Sequence, residues 1–311
     1  MKITRHIISF LSLTLLYSCG FYSQKKNKVN ATSESLSISK IDFTKEYQID
    51  NDEFGTKTKV VIKNGNRIIR TNGLPNHPTG RFPNEGNPNS IKAQDLEYSL
   101  PLNPKLTGKS KWAREPGISV NGVKFEPETA ERFVCETGEV YKIEAIQELV
   151  NLGLDFNNAH VQPSGAYHYH AISPELIKKL DNGKDIILVG YAKDGFPMYY
   201  SKSGKYKPSY VLSEKLRTGD VCNYNNPHQR MEKELNYTRP DGTFVSDWTY
   251  VKGLGQLDEC NGIEIDGEYG YFITDEYPYV SRCLKGEFKE SRPSGPPPRQ
   301  HPHGRRQRRN H

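Results

Sequence analysis

The sequence predicts a mainly β protein with a few short helices, built as a β-sandwich or a pair of packed sheets with an internal hairpin repeat and stapled by disulfides. Three observations carry that expectation. Tyrosine alone supplies 19 residues and aromatics 11% of the chain, a composition that suits strands. Short apolar runs alternate with Gly, Pro and Asn, the residues of tight turns, so long helices find little room. Two tyrosine-rich hairpins, one near residue 165 and one near 267, read as related copies.

The elements follow in chain order. Lys2 and Arg5 precede an apolar run from Ile7 to Leu16, a secretory signal too short to span a bilayer as a mature helix. Leu16-Tyr17-Ser18-Cys19 has the form of a bacterial lipobox, so residues 1–18 are expected to be removed and Cys19 acylated; Tyr17 is unusual there, and simple secretion is the alternative. Anchoring by several acyl chains would fix the protein to the lipid bilayer at the bacterial cell envelope. Residues 19–45, rich in Lys, Asn and Ser, are expected to be a flexible tether, and 46–289 one folded domain of about 240 residues, enough to bury a substantial core.

Within that domain, strands are expected over 60–62, 67–70, 118–120 with 123–125, 185–190 and 271–273. Asn64-Gly65 and Asn121-Gly122 are hairpin turns. A helix is expected over 142–151, where Ile143, Ile146, Leu149 and Val150 recur at helical spacing. A second helix is expected over 173–180, opened by Ser173 as N-cap and Pro174 at the first position.

Cys135, Cys222, Cys260 and Cys283 remain once Cys19 is set aside, an even number in a chain bound for an oxidising compartment. Of three possible pairings, Cys260 with Cys283 is favoured because the intervening segment reads as a hairpin, leaving Cys135 with Cys222. No Cys-x-x-Cys occurs, so a metal–thiolate site is not expected.

The chemistry concentrates in residues 158–170, which hold three of the nine histidines. Pro163-Ser164-Gly165 reads as the turn. With a three-residue loop His160 pairs with His168, so Asn158, His160, Gln162, His168 and His170 share one face, while Val161, Tyr167 and Tyr169 cover the core. His168 and His170 would then stand about 7 Å apart along the strand. Imidazole is the commonest protein metal ligand, and this convergence can hold a transition ion, with copper or zinc expected. The plainer reading is a wet sheet face on which the histidines bond neighbouring carbonyls. His77 in a turn-rich loop, Asp155 just before the hairpin and Asp194 after a strand are further candidates for the site. Asp194 is equally suited to forming a turn.

Together with these residues, Asn72-Gly73-Leu74-Pro75-Asn76-His77, Phe82-Pro83-Asn84, Gly86-Asn87-Pro88-Asn89, Val120-Asn121-Gly122-Val123-Lys124-Phe125, Asp194-Gly195-Phe196-Pro197-Met198-Tyr199 and Leu257-Asp258-Glu259-Cys260-Asn261-Gly262 make the chain resemble the YHYH domain proteins. The likeness extends over roughly residues 70 to 286. It implies a single domain and draws interest to the histidines, and it names no ligand.

The internal repeat aligns Leu154-Asp155-x-Asn157, leading through Gly165 to Tyr167-His168-Tyr169-His170, with Leu257-Asp258-x-x-Asn261, leading through Gly267 to Tyr269-Gly270-Tyr271-Phe272. The second copy keeps the tyrosines and lacks the histidines, as expected of a duplicated architecture with one active half.

The tail, 290–311, is expected to be disordered. Residues 291–311 carry six arginines and no acid, which matches the whole net charge of +6, and would attract anionic lipid or acidic polysaccharide. An exported chain is not expected to bind nucleic acid. No Gly-x-Ser-x-Gly, Walker or His-Glu-x-x-His sequence occurs, which removes nucleotide-dependent chemistry from consideration. Three function classes remain: a transition-metal or polar-ligand binding protein, a metal-dependent hydrolase with Asp155 or Asp194 as base, and a carbohydrate- or peptide-binding module.

Overall fold

A computed structural model describes residues 41–226 and 228–289. The expectations for the signal, Cys19 and the Arg-rich tail lie outside these residues. No helix among the described residues is long and apolar enough to cross a membrane. Phe43, within the expected tether, is buried, and its carbonyl accepts a bond from the Tyr191 hydroxyl at 3.0 Å.

Strands β1 (Tyr47–Asn51), β2 (Thr56–Lys63), β3 (Asn66–Thr71) and β4 (Leu96–Pro101) form an antiparallel meander. After β5 (Leu106–Trp112), the chain enters the main sheet with β6 (Gly117–Ser119) and β7 (Lys124–Phe125). It leaves through β8 (Glu128–Cys135) and β9 (Val140–Glu144), then returns with the histidine hairpin, β10 (Ala159–Val161) and β11 (Tyr167–Tyr169). Helix α1 (Pro174–Leu180) leads to β12 (Ile186–Ala192) and β13 (Pro197–Ser201). A second excursion carries β14 (Tyr210–Leu212), β15 (Cys222–Asn225), β16 (Arg230–Lys233) and β17 (Trp248–Tyr250). The second tyrosine hairpin, β18 (Gly262–Ile265) and β19 (Glu268–Ile273), precedes β20 (Cys283–Gly286), which pairs with β5.

The main sheet has eight strands in the order β10-β11-β7-β6-β12-β13-β19-β18. The two tyrosine hairpins therefore form its opposite edges. Each inner hairpin strand runs parallel to the second strand of a tight hairpin, β11 to β7 and β19 to β13, and those hairpins meet at the centre through antiparallel β6 and β12. The register places a local two-fold through the Ile118–Tyr191 pair, flanked by Gly117 with Ala192 and Ser119 with Gly190. The repeat thus extends past the hairpins to half of the main sheet on each side.

The meander packs on this sheet. Tyr47, Ile49, Val60, Ile69 and Leu100 share one core with Ile118, Phe125, Tyr169, Val189, Tyr191 and Tyr271. Tyr47 donates to the Val120 carbonyl at 2.8 Å and Arg67 lies over the Tyr191 ring, so the layers are joined by polar as well as apolar contacts. This is the mainly β, packed-sheet architecture that the composition foretells. A four-stranded sheet, β16-β15-β8-β9, has its own core around Phe133, Ile143, Tyr224 and Phe244. The disulfides pair as expected, Cys135 with Cys222 across adjacent strands and Cys260 with Cys283.

Helix α1 forms where Ser173 and Pro174 foretold it, with the Ser173 hydroxyl accepting from Leu176 N at 3.1 Å. The helix expected over 142–151 is absent. Strand β9 occupies its first part, because Tyr141 and Ile143 alternate with half-buried Lys142 and pair with β8, burying both in the second core. Past β9 the Gln147 side chain closes a turn on Val150, bonding its N and O at 2.9 and 2.7 Å. Period-two burial outweighed a run of four apolar residues at helical spacing.

Candidate metal centre

The hairpin has the three-residue loop the sequence suggested. His160 stands opposite His168, and Gln162 N bonds the Ala166 carbonyl at 2.9 Å. Gly165 takes φ +91°, a value that favours glycine. Val161, Tyr167 and Tyr169 accordingly point into the core, and the histidines face the other way. The outer edge is held by Asn87 and Asn89, whose amides both donate to the Val161 carbonyl, at 2.9 and 2.8 Å. At the far end Asn158, at φ +54°, accepts from His170 N through its carbonyl and donates to the Ile172 carbonyl with its side chain.

One nitrogen from each of His160, His168 and His170 lies within 4.8 Å of the others, and the ring centroids are 4.7 Å apart in every pair. His168 and His170 are buried and His160 is half-buried. His160 Nδ1 meets the Leu152 carbonyl at 2.8 Å and His168 Nδ1 the Ala166 carbonyl at 3.2 Å. A carbonyl accepts only, so both Nδ1 atoms carry the proton and both Nε2 atoms present lone pairs. His170 Nε2 sits 3.0 Å from His160 Nε2, while its buried Nδ1 completes no hydrogen bond. If His170 donates from Nε2 to His160, its Nδ1 is left as an unpaired lone pair in the interior. A cation among the Nε2 atoms removes that conflict. It would let Nδ1–H turn to the Pro127 carbonyl, the backbone acceptor beside it.

Burial holds all three imidazoles below the ordinary histidine range, most strongly His168 and His170, and the neighbouring histidines and Lys124 push His168 further down. The triad is therefore kept neutral, the form that binds metals. Tetrahedral zinc with Zn–N bonds of about 2.0–2.1 Å needs nitrogens about 3.3 Å apart; His160 and His170 stand at 3.0 Å, and all three nitrogens lie within 4.8 Å, so binding would draw the rings together.

Beside His168 lies a buried charge network. Lys124, its register partner on β7, bonds Glu115 at 2.6 Å, Glu126 at 3.0 Å and the Gln162 side-chain Oε1 at 3.0 Å. Glu126 also pairs with Arg114 at 3.0 Å and accepts from the Gln162 amide. Gln162 thus serves this network. The triad opens into a cleft of about 510 Å³ that is also lined by β8, including Glu128, Thr129 and Glu131.

The other sequence candidates lie elsewhere. His77 is buried on the tyrosine side, with Nε2 at 2.6 Å from the Tyr169 hydroxyl and Nδ1 at 2.9 Å from the Pro78 carbonyl. Asp155 accepts from the Tyr167 hydroxyl at 2.8 Å, Gly80 N at 2.9 Å and Asn157 N at 2.9 Å, which fixes the loop before β10. Asp194 belongs to the other half, where it accepts from the Tyr271 hydroxyl at 2.6 Å and Gly286 N at 2.9 Å. The β8 wall escaped the sequence reading; its one signal is Glu131, a charged residue in phase with core-facing Phe133 and Cys135.

A family model described as YHYH protein matches residues 97–286. No curated protein and no solved structure matches the chain.

Proposed function

This chain belongs to the YHYH protein family, and we propose that it is an exported protein whose His160, His168 and His170 bind a transition ion, copper or zinc, with one coordination position open to the cleft. The observation that carries this reading is the convergence of three imidazole nitrogens, with two Nδ1 atoms facing backbone carbonyls and one buried nitrogen that completes no hydrogen bond. Export and anchoring at the bacterial cell envelope through acylated Cys19 rest on the signal and lipobox, and the two disulfides support an oxidising compartment. The arginines of the tail would add affinity for anionic lipid or polysaccharide.

The test is elemental analysis of the mature chain, with His301, His303 and His311 replaced by Asn, after equilibration against competing Cu, Zn, Fe, Ni, Mn and Ca. The expected result is near-stoichiometric Cu or Zn that disappears in the His168→Ala/His170→Ala variant. A folded protein that retains no metal would redirect the search to small polar ligands, glycans and peptides. One observation favours a second reading, a metal-dependent hydrolase: the triad faces a cleft large enough for a small substrate, and an ion with three histidines and a free position lowers the pKa of bound water to about 7.

A further inference from the structure

Glu131 is the one carboxylate of the described cleft lining that has neither an ion pair nor a hydrogen bond. Glu126 is engaged by Arg114, Lys124 and Gln162, and Glu128 by Lys142 and the Trp112 indole. Glu131 is half-buried on the β8 face that carries Phe133 and Cys135 into the second core, and it lines the cleft with the triad. A register shift between Glu128 and Arg132 interrupts the β8–β9 pairing around it; such irregularities commonly re-aim a side chain. Half-buried and unpaired, the Glu131 carboxylate is available to a molecule that enters the cleft. Glu131 is also the charged group that acts most strongly on His160.

Resting on the metal reading above, we infer that Glu131 decides which molecules occupy the open position of the ion. Its carboxylate accepts a hydrogen bond from ligands that carry N–H or O–H donors and turns away anions. The substrate class this selects is neutral or cationic molecules with a donor beside the metal-binding atom.

The test uses Co(II), whose visible bands report on a four-coordinate histidine site, in the full mature chain and its Glu131→Gln and Glu131→Asp variants, with melting curves to verify folding. Azide and imidazole are the two probes. Removing the carboxylate should tighten azide binding about fivefold or more and weaken imidazole, which can donate N–H to Glu131, while Glu131→Asp stays close to wild type. Equal azide affinities in wild type and Glu131→Gln would overturn the inference. So would loss of Co(II) from Glu131→Gln, since Glu131 would then be a metal ligand. Failure of the wild type to take up Co(II) would instead remove the metal reading, and the inference with it.

Discussion

The two edges of the main sheet carry the same hairpin and different chemistry. In both halves a tyrosine hydroxyl donates to an aspartate at 2.8 Å, Tyr167 to Asp155 and Tyr269 to Asp258. In both, an asparagine of positive φ, Asn158 or Asn261, accepts from the last strand residue, His170 or Phe272. Asn121 bonds the Tyr169 hydroxyl where Asp194 bonds that of Tyr271. These equivalences align Asn158, not Asn157, with Asn261, and Asn157 with Cys260. On the opposite face the positions of His160, His168 and His170 hold Ile263, Gly270 and Phe272, and a pocket of about 350 Å³ without histidines replaces the histidine cleft. The polar anchors on the tyrosine side define the architecture, and the outward face is free to change.

The strongest way to sharpen that contrast is His168→Ala/His170→Ala. We expect loss of metal with the fold intact, because the tyrosine face is untouched; circular dichroism and metal titration check both halves of the statement. Next is Gly270→Ala, at the position equivalent to His168. Its Cβ would come within 2.9 Å of the Tyr199 ring, so about 1–3 kcal/mol of destabilisation is expected by denaturant melts. A neutral result would mean that the apolar half can accept side chains as the histidine half does.

Tyr167→Phe and Tyr269→Phe probe the shared anchors. Each should cost about 1–2 kcal/mol, Tyr269→Phe less, because Lys285 at 2.9 Å still partners Asp258. The reverse order would break the assigned equivalence. The smallest effect is expected from Asp194→Asn, which copies Asn121 into the second half. Burial raises the Asp194 pKa, so the folded state binds its proton more tightly than the unfolded state does. Its contribution is complete below the ordinary aspartate range and is lost as pH rises through the raised folded value. Wild type should therefore lose stability relative to Asp194→Asn as pH rises across that window; a parallel pH dependence in the two proteins would remove burial as the controlling cause.

Much of this was legible in the sequence because strand chemistry is local. Period two set the faces of His160, His168 and His170 once Pro163-Ser164-Gly165 fixed the loop, and Gly267 marked the second hairpin. The disulfide pairs followed from cysteine count and hairpin return. Strand β9 is not legible there because Ile143, Ile146, Leu149 and Val150 fit helical spacing, and only pairing with β8 decides against it. Glu131 and Asn87 reach the cleft and the hairpin edge through long-range packing, which residue order does not encode. The sheet's central two-fold was equally hidden, since Asn121-Gly122 and Asp194-Gly195 differ in sequence while making the same turn.

The central claim, one ion on three imidazoles with an open position, is tested most directly by X-ray absorption of the zinc-loaded protein. The account predicts about three nitrogens at 2.0–2.1 Å with imidazole outer-shell scattering and one further light atom. A shell of oxygens without imidazole scattering would contradict it.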